Sequence, residues 1–153
     1  MNVLLRTAEQ VVIVERRQFA LCDGSAPYDD HPWQLPDRDP RDGISANNDG
    51  VTVASTVPTH DALVRFEVWT GEPTKSDDLS IGEVSVPLPT GTLTGWAIPH
   101  GPAGDPIELV GPGIYAVRVF RQGGGEEARI RIEEGMFSGL ESYSVQVWRT
   151  LQL

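Results

Sequence analysis

The sequence predicts an all-β protein, specifically an antiparallel β-sandwich of about eight strands with a long acidic loop. Short runs in which apolar and polar residues alternate recur at near-regular spacing, with turn-forming residues between them. No stretch repeats apolar residues at the helical period over three turns, so little helix is expected. A length of 153 residues suits one domain with a full core, and we expect a single β-sandwich over residues 1–153.

The first half of the chain supplies three predicted strands. Residues 11–22 are apolar or alternating, which predicts one long strand with a kink near residues 15–17. An Asn-Asp-Gly turn signal precedes residues 51–55, which alternate as a strand does. Residues 62–69 indicate a strand with one face in the core, because their apolar side chains share that face: Ala62, Val64, Phe66 and Val68.

The second half supplies the remaining predicted strands, which cover residues 79–88, 92–98, 114–120, 129–132 and 142–148. The run Arg129-Ile130-Arg131-Ile132 alternates charged and apolar side chains, which favours a short edge strand. Three consecutive glycines before it predict a hairpin or a flexible linker, since no phosphate-binding loop sequence follows them.

Tyr115 lies just after a Gly-Pro-Gly turn, at the start of a strand that is apolar on both faces. Antiparallel sandwiches use a tyrosine in this place when the phenol bonds back across the corner. The alternative is a core aromatic residue with no role at the corner. Neither interpretation makes Tyr115 catalytic.

The charge of the chain limits the partners that it can bind. Twelve Lys and Arg against 22 Asp and Glu give a net charge of −10, which argues against nucleic acid or anionic lipid as a partner. A cationic partner is favoured instead. Cys22 is the single cysteine, so no intrachain disulfide is possible, and we expect a buried thiol. With no signal peptide or membrane span in the sequence, we expect a cytoplasmic protein.

Residues 23–50 form the predicted acidic loop. Seven aspartates against two arginines leave a net charge of −5 there, and four prolines exclude a regular strand. Carboxylates with aromatic residues among them suit the basic cleft of a partner protein. The candidate partner-binding residues are Asp29, Asp30, Trp33, Asp37, Asp39 and Asp42. The alternative is a loop that is merely solvated, with Trp33 folded back onto the core.

Metal and catalytic sites are not expected. Residues 37–43 carry oxygen ligands that suit calcium, but their spacing does not match an EF-hand loop, and two arginines lie among them. His31, His60 and His100 fall in three separate loops, whereas zinc needs converging ligands and a hydrolase needs a histidine beside a nucleophile. We therefore assign no catalytic residue, metal ligand or cofactor.

The order of these landmarks resembles the DNA-entry nuclease inhibitor family, also called competence protein J. The resemblance spans most of the chain and is carried by residues 17–20, Trp33 in the acidic loop, and residues 50–53, 84–87, 109–119 and 143–148. Members of this family pair with a secreted or membrane-linked nuclease and block it. The resemblance implies a β-sandwich that binds a protein and performs no chemistry, and it carries no binding residue onto this sequence.

Two functions from different classes follow. The first is a non-catalytic inhibitor or immunity-type protein that blocks a basic partner, such as a nuclease, through an acidic surface. The second is a β-sandwich module for a small ligand or carbohydrate, which would need Trp96 and Trp148 on an exposed face. A core position for Trp69, Trp96 and Trp148 is the alternative to such a groove. An accessory structural domain of a larger assembly is a third possibility.

Overall fold

Alternating side chains build two β-sheets in the computed structural model, which describes residues 2–25, 43–46, 50–74, 80–98 and 100–152. Eleven strands and one helix lie in these ranges. The elements are β1 (Leu4–Val14), β2 (Gln18–Cys22), β3 (Ile44–Ala46), β4 (Val51–Ala54), β5 (His60–Trp69), β6 (Gly82–Leu88), β7 (Thr92–Ala97), β8 (Gly101–Pro102), β9 (Ile107–Glu108), β10 (Gly113–Gly123), α1 (Gly125–Glu133) and β11 (Ser138–Gln152).

The two sheets differ in strand order and direction. The five-stranded sheet has the order β1-β5-β11-β10-β6, in which β5 and β11 run parallel and all other neighbours are antiparallel. The six-stranded sheet has the order β3-β4-β2-β7-β8, and β9 pairs with β7. The prediction of an all-β sandwich is therefore confirmed, and the parallel pair adds a feature that alternation alone does not show.

The core lies between the sheets and follows the predicted alternation. In β5 the side chains of Ala62, Val64, Phe66 and Val68 are buried. Phe19 of β2 meets Tyr143 of β11 edge to face, with the ring centroids 4.9 Å apart. Cys22 is buried, as predicted.

Residues 11–22 do not form the single kinked strand that the sequence predicts. They divide into β1 and β2, which belong to different sheets. The chain turns at Arg16 and Arg17, whose φ angles of 53° and 65° are both left-handed, and Glu15 and Gln18 bond to each other across the turn. This is a two-residue turn of the kind that glycine or asparagine usually forms, so its arginines gave no turn signal.

Residues 129–132 are helical, so the predicted edge strand is wrong. In α1, Arg129 pairs with Glu126 at i,i+3 and with Glu133 at i,i+4, the spacings that bring side chains together on a helix surface. Acidic residues in the first turn and Arg131 in the last complement the helix dipole. Ala128 is the buried residue of this helix, and the alternation of Ile130 and Ile132 reflects no buried strand face.

Tyr115 forms a tyrosine corner. Its hydroxyl donates to the carbonyl oxygen of Gly111 at 2.7 Å and accepts from the backbone N–H of Val110 at 3.0 Å. The ring itself is fully buried. The two sequence interpretations are thus decided in favour of the corner, which fixes the turn before β10.

Candidate functional site

The six predicted partner-binding residues, from Asp29 to Asp42, lie outside the described residues. The structure describes the chain up to Ser25 and again from Gly43. On the first side, the buried Asp23 carboxylate accepts hydrogen bonds from the Thr90 N–H at 3.0 Å and from its hydroxyl at 2.9 Å. On the second side, the Gly43 carbonyl accepts from the Ala54 N–H at 2.7 Å. The described residues at both ends of the acidic loop are therefore bonded to the sandwich. Residues 44–46, which the sequence predicts as part of this loop, form β3 instead.

A polar cluster surrounds the buried Glu141 side chain at the loop between β4 and β5, and we call it the Glu141 cluster. It consists of Ser55, Thr56, His60, Arg121, Glu141 and Tyr143. Glu141 and Tyr143 are on the core face of β11, and His60 is the first residue of β5, so three strands and a loop meet here. Sequence reasoning missed this cluster. The signal was present, because the alternation of Tyr143, Val145 and Val147 extends backwards to Glu141.

The Glu141 carboxylate is fully buried and is surrounded by donors. One oxygen accepts from the hydroxyls of Ser55 and Tyr143, each at 2.5 Å. The other accepts from the Thr56 N–H at 2.9 Å and from the Thr56 hydroxyl. The Nε atom of Arg121 lies 3.9 Å from Oε2 of the Glu141 carboxylate. A buried carboxylate with this many donors stays ionised without the usual cost of an unpaired buried charge.

These donors also change the acidity of the cluster. Burial by itself would raise the pKa of Glu141, but hydrogen bonds from His60, Ser55, Thr56 and Tyr143 outweigh it and lower the pKa to about 2. Burial raises the pKa of Tyr143, and the neighbouring Glu141 carboxylate raises it further. The cluster therefore carries a fixed negative charge on Glu141 across the physiological pH range.

The geometry of the cluster is not that of a Ser-His-acid triad. In a triad, the acid bonds Nδ1 of the histidine while Nε2 faces the serine. Here the Ser55 Oγ at 3.1 Å and the Glu141 Oε1 at 3.3 Å both lie against Nε2 of His60. Nδ1 is buried and has no hydrogen-bond partner in the described part of the chain. The serine hydroxyl points to the carboxylate, so the arrangement stabilises the fold and does not activate a nucleophile.

A pH dependence of stability follows from Glu141. Its pKa is about 2 in the folded state against 4.5 ordinarily, so the unfolded chain binds the proton more tightly and stability falls as the pH drops from about 4.5 towards 2. The full contribution, present above about pH 4.5, is about 3 kcal/mol. Urea unfolding of the wild type and of Glu141→Gln between pH 7 and pH 2.5 measures it. The difference in unfolding free energy between the two proteins should shrink below pH 4.5. If it stayed constant with pH, the low pKa of Glu141 would be contradicted.

The tryptophans do not form an exposed aromatic groove in the described residues. Trp96 and Trp148 are 3% and 5% exposed, so both are buried, whereas Trp69, for which the sequence also predicts a core position, is only half-buried. The Arg118 guanidinium stacks over Trp148 at 4.8 Å and pairs with the carboxylates of Glu72 and Glu83. The carbohydrate-binding alternative thus loses the two exposed residues on which it depended.

Two further features of the described residues limit the chemistry that they can support. They contain no group of three or more His, Cys, Asp or Glu side chains placed to hold a metal ion. The candidate calcium segment at residues 37–43 lies almost entirely outside them. Within the same ranges, no helix has the length and apolar character needed to cross a membrane.

Comparison with known proteins identifies the fold. Neither a protein family nor a curated protein matches the sequence. The crystal structure of ComJ from Bacillus subtilis, an inhibitor of the DNA-degrading activity of NucA, matches with a TM-score of 0.59 at 14% identity, over 98% of this chain and 99% of ComJ. The structure described as crocagin biosynthetic gene J matches with a TM-score of 0.55 at 16% identity, over 95% of this chain and 99% of its own. At this level of identity both matches establish the fold alone, and the chain has a ComJ-like fold.

Proposed function

We propose that this chain is a non-catalytic, single-domain inhibitor that binds a basic protein, in the first instance a nuclease, and covers its substrate cleft. The observation that carries the proposal is the match with the nuclease inhibitor ComJ over nearly the full length of both chains. The net charge of −10 supports it, because a nuclease cleft that attracts phosphate also attracts a carboxylate-rich surface.

The acidic loop is the proposed contact. Half of the net charge of the chain falls in residues 23–50, and Trp33 stands among the carboxylates as an aromatic anchor. Charge complementarity of this kind raises the association rate and excludes wrong partners. Exposed charges are screened over about 10 Å at 0.1 M salt, so binding that depends on them must weaken as salt rises.

The test is affinity capture from the native cell lysate at low and then high salt, followed by a nuclease assay on the protein released. We expect salt to release a basic protein whose nuclease activity the purified chain suppresses. Two triple variants with the same change in charge then locate the contact. The loop triple is Asp37→Asn, Asp39→Asn and Asp42→Asn, and the control triple is Asp105→Asn, Glu108→Gln and Glu127→Gln, at three exposed positions.

The loop triple should bind the captured nuclease about tenfold or more weakly and lose part of its salt dependence, whereas the control triple should stay within about threefold of the wild type. Equal affinities for the two triples, with both variants folded, would remove the acidic loop from the interface. A captured protein without nuclease activity would overturn the choice of partner class.

A further inference from the structure

Five exposed apolar side chains gather at one end of the five-stranded sheet, and we call them the apolar patch: Val11, Ile13, Leu63, Met136 and Phe137. Each exposes between 40% and 57% of its surface. Apolar residues scattered singly over a surface need no explanation, but apolar residues that lie together mark an interaction site.

The strand register brings these side chains together. Val11 lies directly opposite Leu63, and Ile13 lies opposite Asp61, in the antiparallel pair of β1 and β5. Asp61 is in turn beside Ser138 of β11, the residue that follows Phe137. Neighbouring strands are about 4.8 Å apart, so Val11, Ile13, Leu63 and Asp61 occupy one continuous area of the sheet. Met136 and Phe137 are the two exposed residues that lead into β11 at the edge of this area.

The sheet residues of the patch lie on the face turned away from the core. Val12 and Val14 of β1 and Ala62 of β5 are buried, and their neighbours Val11, Ile13 and Leu63 alternate with them. No helix of the described chain packs over this face at Leu63, which is 44% exposed. The helix α1 instead buries Ala128 against Val57 and Leu140.

The exposed carboxylate in the patch indicates what kind of molecule binds there. Asp61 lies between Ile13 and Ser138 in the sheet, is exposed, and takes part in none of the ion pairs formed among the described residues. In a symmetric dimer built on this patch, two chains that each carry a net charge of −10 would be brought together, and the second copy would have to supply a cation for each Asp61. A partner that offers a Lys or Arg beside an apolar pocket satisfies both Asp61 and its apolar neighbours.

We propose that the apolar patch is a second contact surface for the basic partner, with Leu63 and Phe137 as its apolar anchors and Asp61 as its charged group. This inference rests on the proposed function. It supplies what the acidic loop lacks, because exposed charges contribute mainly to association rate and specificity, whereas buried apolar anchors contribute most of the affinity.

The test places the photo-crosslinker p-benzoylphenylalanine at one position at a time in the protein in its native cells. Positions 63 and 137 probe the patch, and position 33 probes the acidic loop. Position 151 is the matched control, since Leu151 is 57% exposed and lies near the far end of β11. We expect positions 63 and 137, but not 151, to crosslink a basic protein whose nuclease activity the purified chain inhibits.

Every other outcome decides against one of the proposals. A crosslink from position 33 without one from 63 or 137 leaves the proposed function standing and overturns the patch. Crosslinks from 63 to a second copy of the chain overturn it in favour of a dimer. If neither 33 nor the patch crosslinks a nuclease, both proposals fail.

A second measurement uses the purified partner found in this way. Leu63→Thr places a β-branched residue, which suits a strand, in place of the apolar leucine. It should weaken binding about tenfold at low and high salt alike, because an apolar contact is not screened. Leu151→Thr should change binding less than twofold. Equal effects of the two variants, with circular dichroism confirming that both are folded, would overturn the proposal.

Discussion

Replacing Glu141 with leucine is expected to lower the free energy of unfolding by about 3–5 kcal/mol at pH 7. Leucine fills a similar volume but accepts no hydrogen bond. The Thr56 N–H and the hydroxyls of Ser55 and Tyr143 would lose the carboxylate as their acceptor. The two buried hydroxyls would keep only the weaker carbonyl acceptors of Val57 and Ala54. Urea denaturation followed by tryptophan fluorescence measures the loss.

Two control variants show whether the loss of stability comes from the missing acceptor at position 141. Glu141→Gln keeps one acceptor oxygen, and the hydroxyls of Ser55 and Tyr143 can turn to accept from its amide, so its loss should be clearly smaller. Glu108→Leu removes a carboxylate that is exposed and should change stability by no more than about 0.5 kcal/mol. A Glu141→Leu protein within 1 kcal/mol of the wild type would show that the cluster contributes no net stability.

The second large effect is expected for Gly91→Ala, at about 3–5 kcal/mol. Gly91 has φ +70° in the turn between β6 and β7, and a Cβ there would stand 2.5 Å from the carbonyl carbon of Gly111. That atom belongs to the corner that Tyr115 holds, so neither backbone can move aside without breaking a bond at the corner. Thermal and urea denaturation measure the effect.

Gly135→Ala separates the two causes of this loss. Gly135 has φ +82°, as unfavourable for alanine as Gly91, but a Cβ there meets nothing within 4 Å. Gly135→Ala should therefore lower the free energy of unfolding only by the cost of a left-handed backbone at alanine, about 1–2 kcal/mol. If Gly91→Ala cost no more than Gly135→Ala, the contact between the two turns would be loose enough to adapt.

The part of the fold that the sequence predicts is the part governed by burial on one side of a strand. The apolar face of β5 follows from alternation. The Gly-Pro-Gly turn makes a corner at Tyr115 one of two interpretations, and the hydrogen bonds of its hydroxyl decide for it. Where the physical cause lies in tertiary contacts, the same reasoning fails. Arg16 and Arg17 adopt left-handed φ because the chain must pass between sheets there. Residues 129–132 alternate like a strand, yet they are helical, and the tertiary contact of this helix is made by Ala128, which packs against Val57 and Leu140.

The three sites also differ in how far the sequence predicts them. The Glu141 cluster brings together residues 55–60 and 141–143, which are distant in sequence, so composition and local spacing carry no trace of it beyond the inward register of Glu141. The apolar patch depends on the parallel pairing of β5 and β11, which the sequence does not reveal. The acidic loop is the opposite case, since its charge is evident in the sequence and its role as a contact stays a prediction.

The central place of β11 has a consequence for biosynthesis. This strand follows all the others in the chain, yet it lies between β5 and β10 in the five-stranded sheet. Until the ribosome has released residues 138–152, β5 and β10 have no common neighbour, and Glu141 has not reached its donors. The five-stranded sheet therefore closes only after translation has passed its last strand, and the nascent chain must keep its apolar strands from aggregating until then.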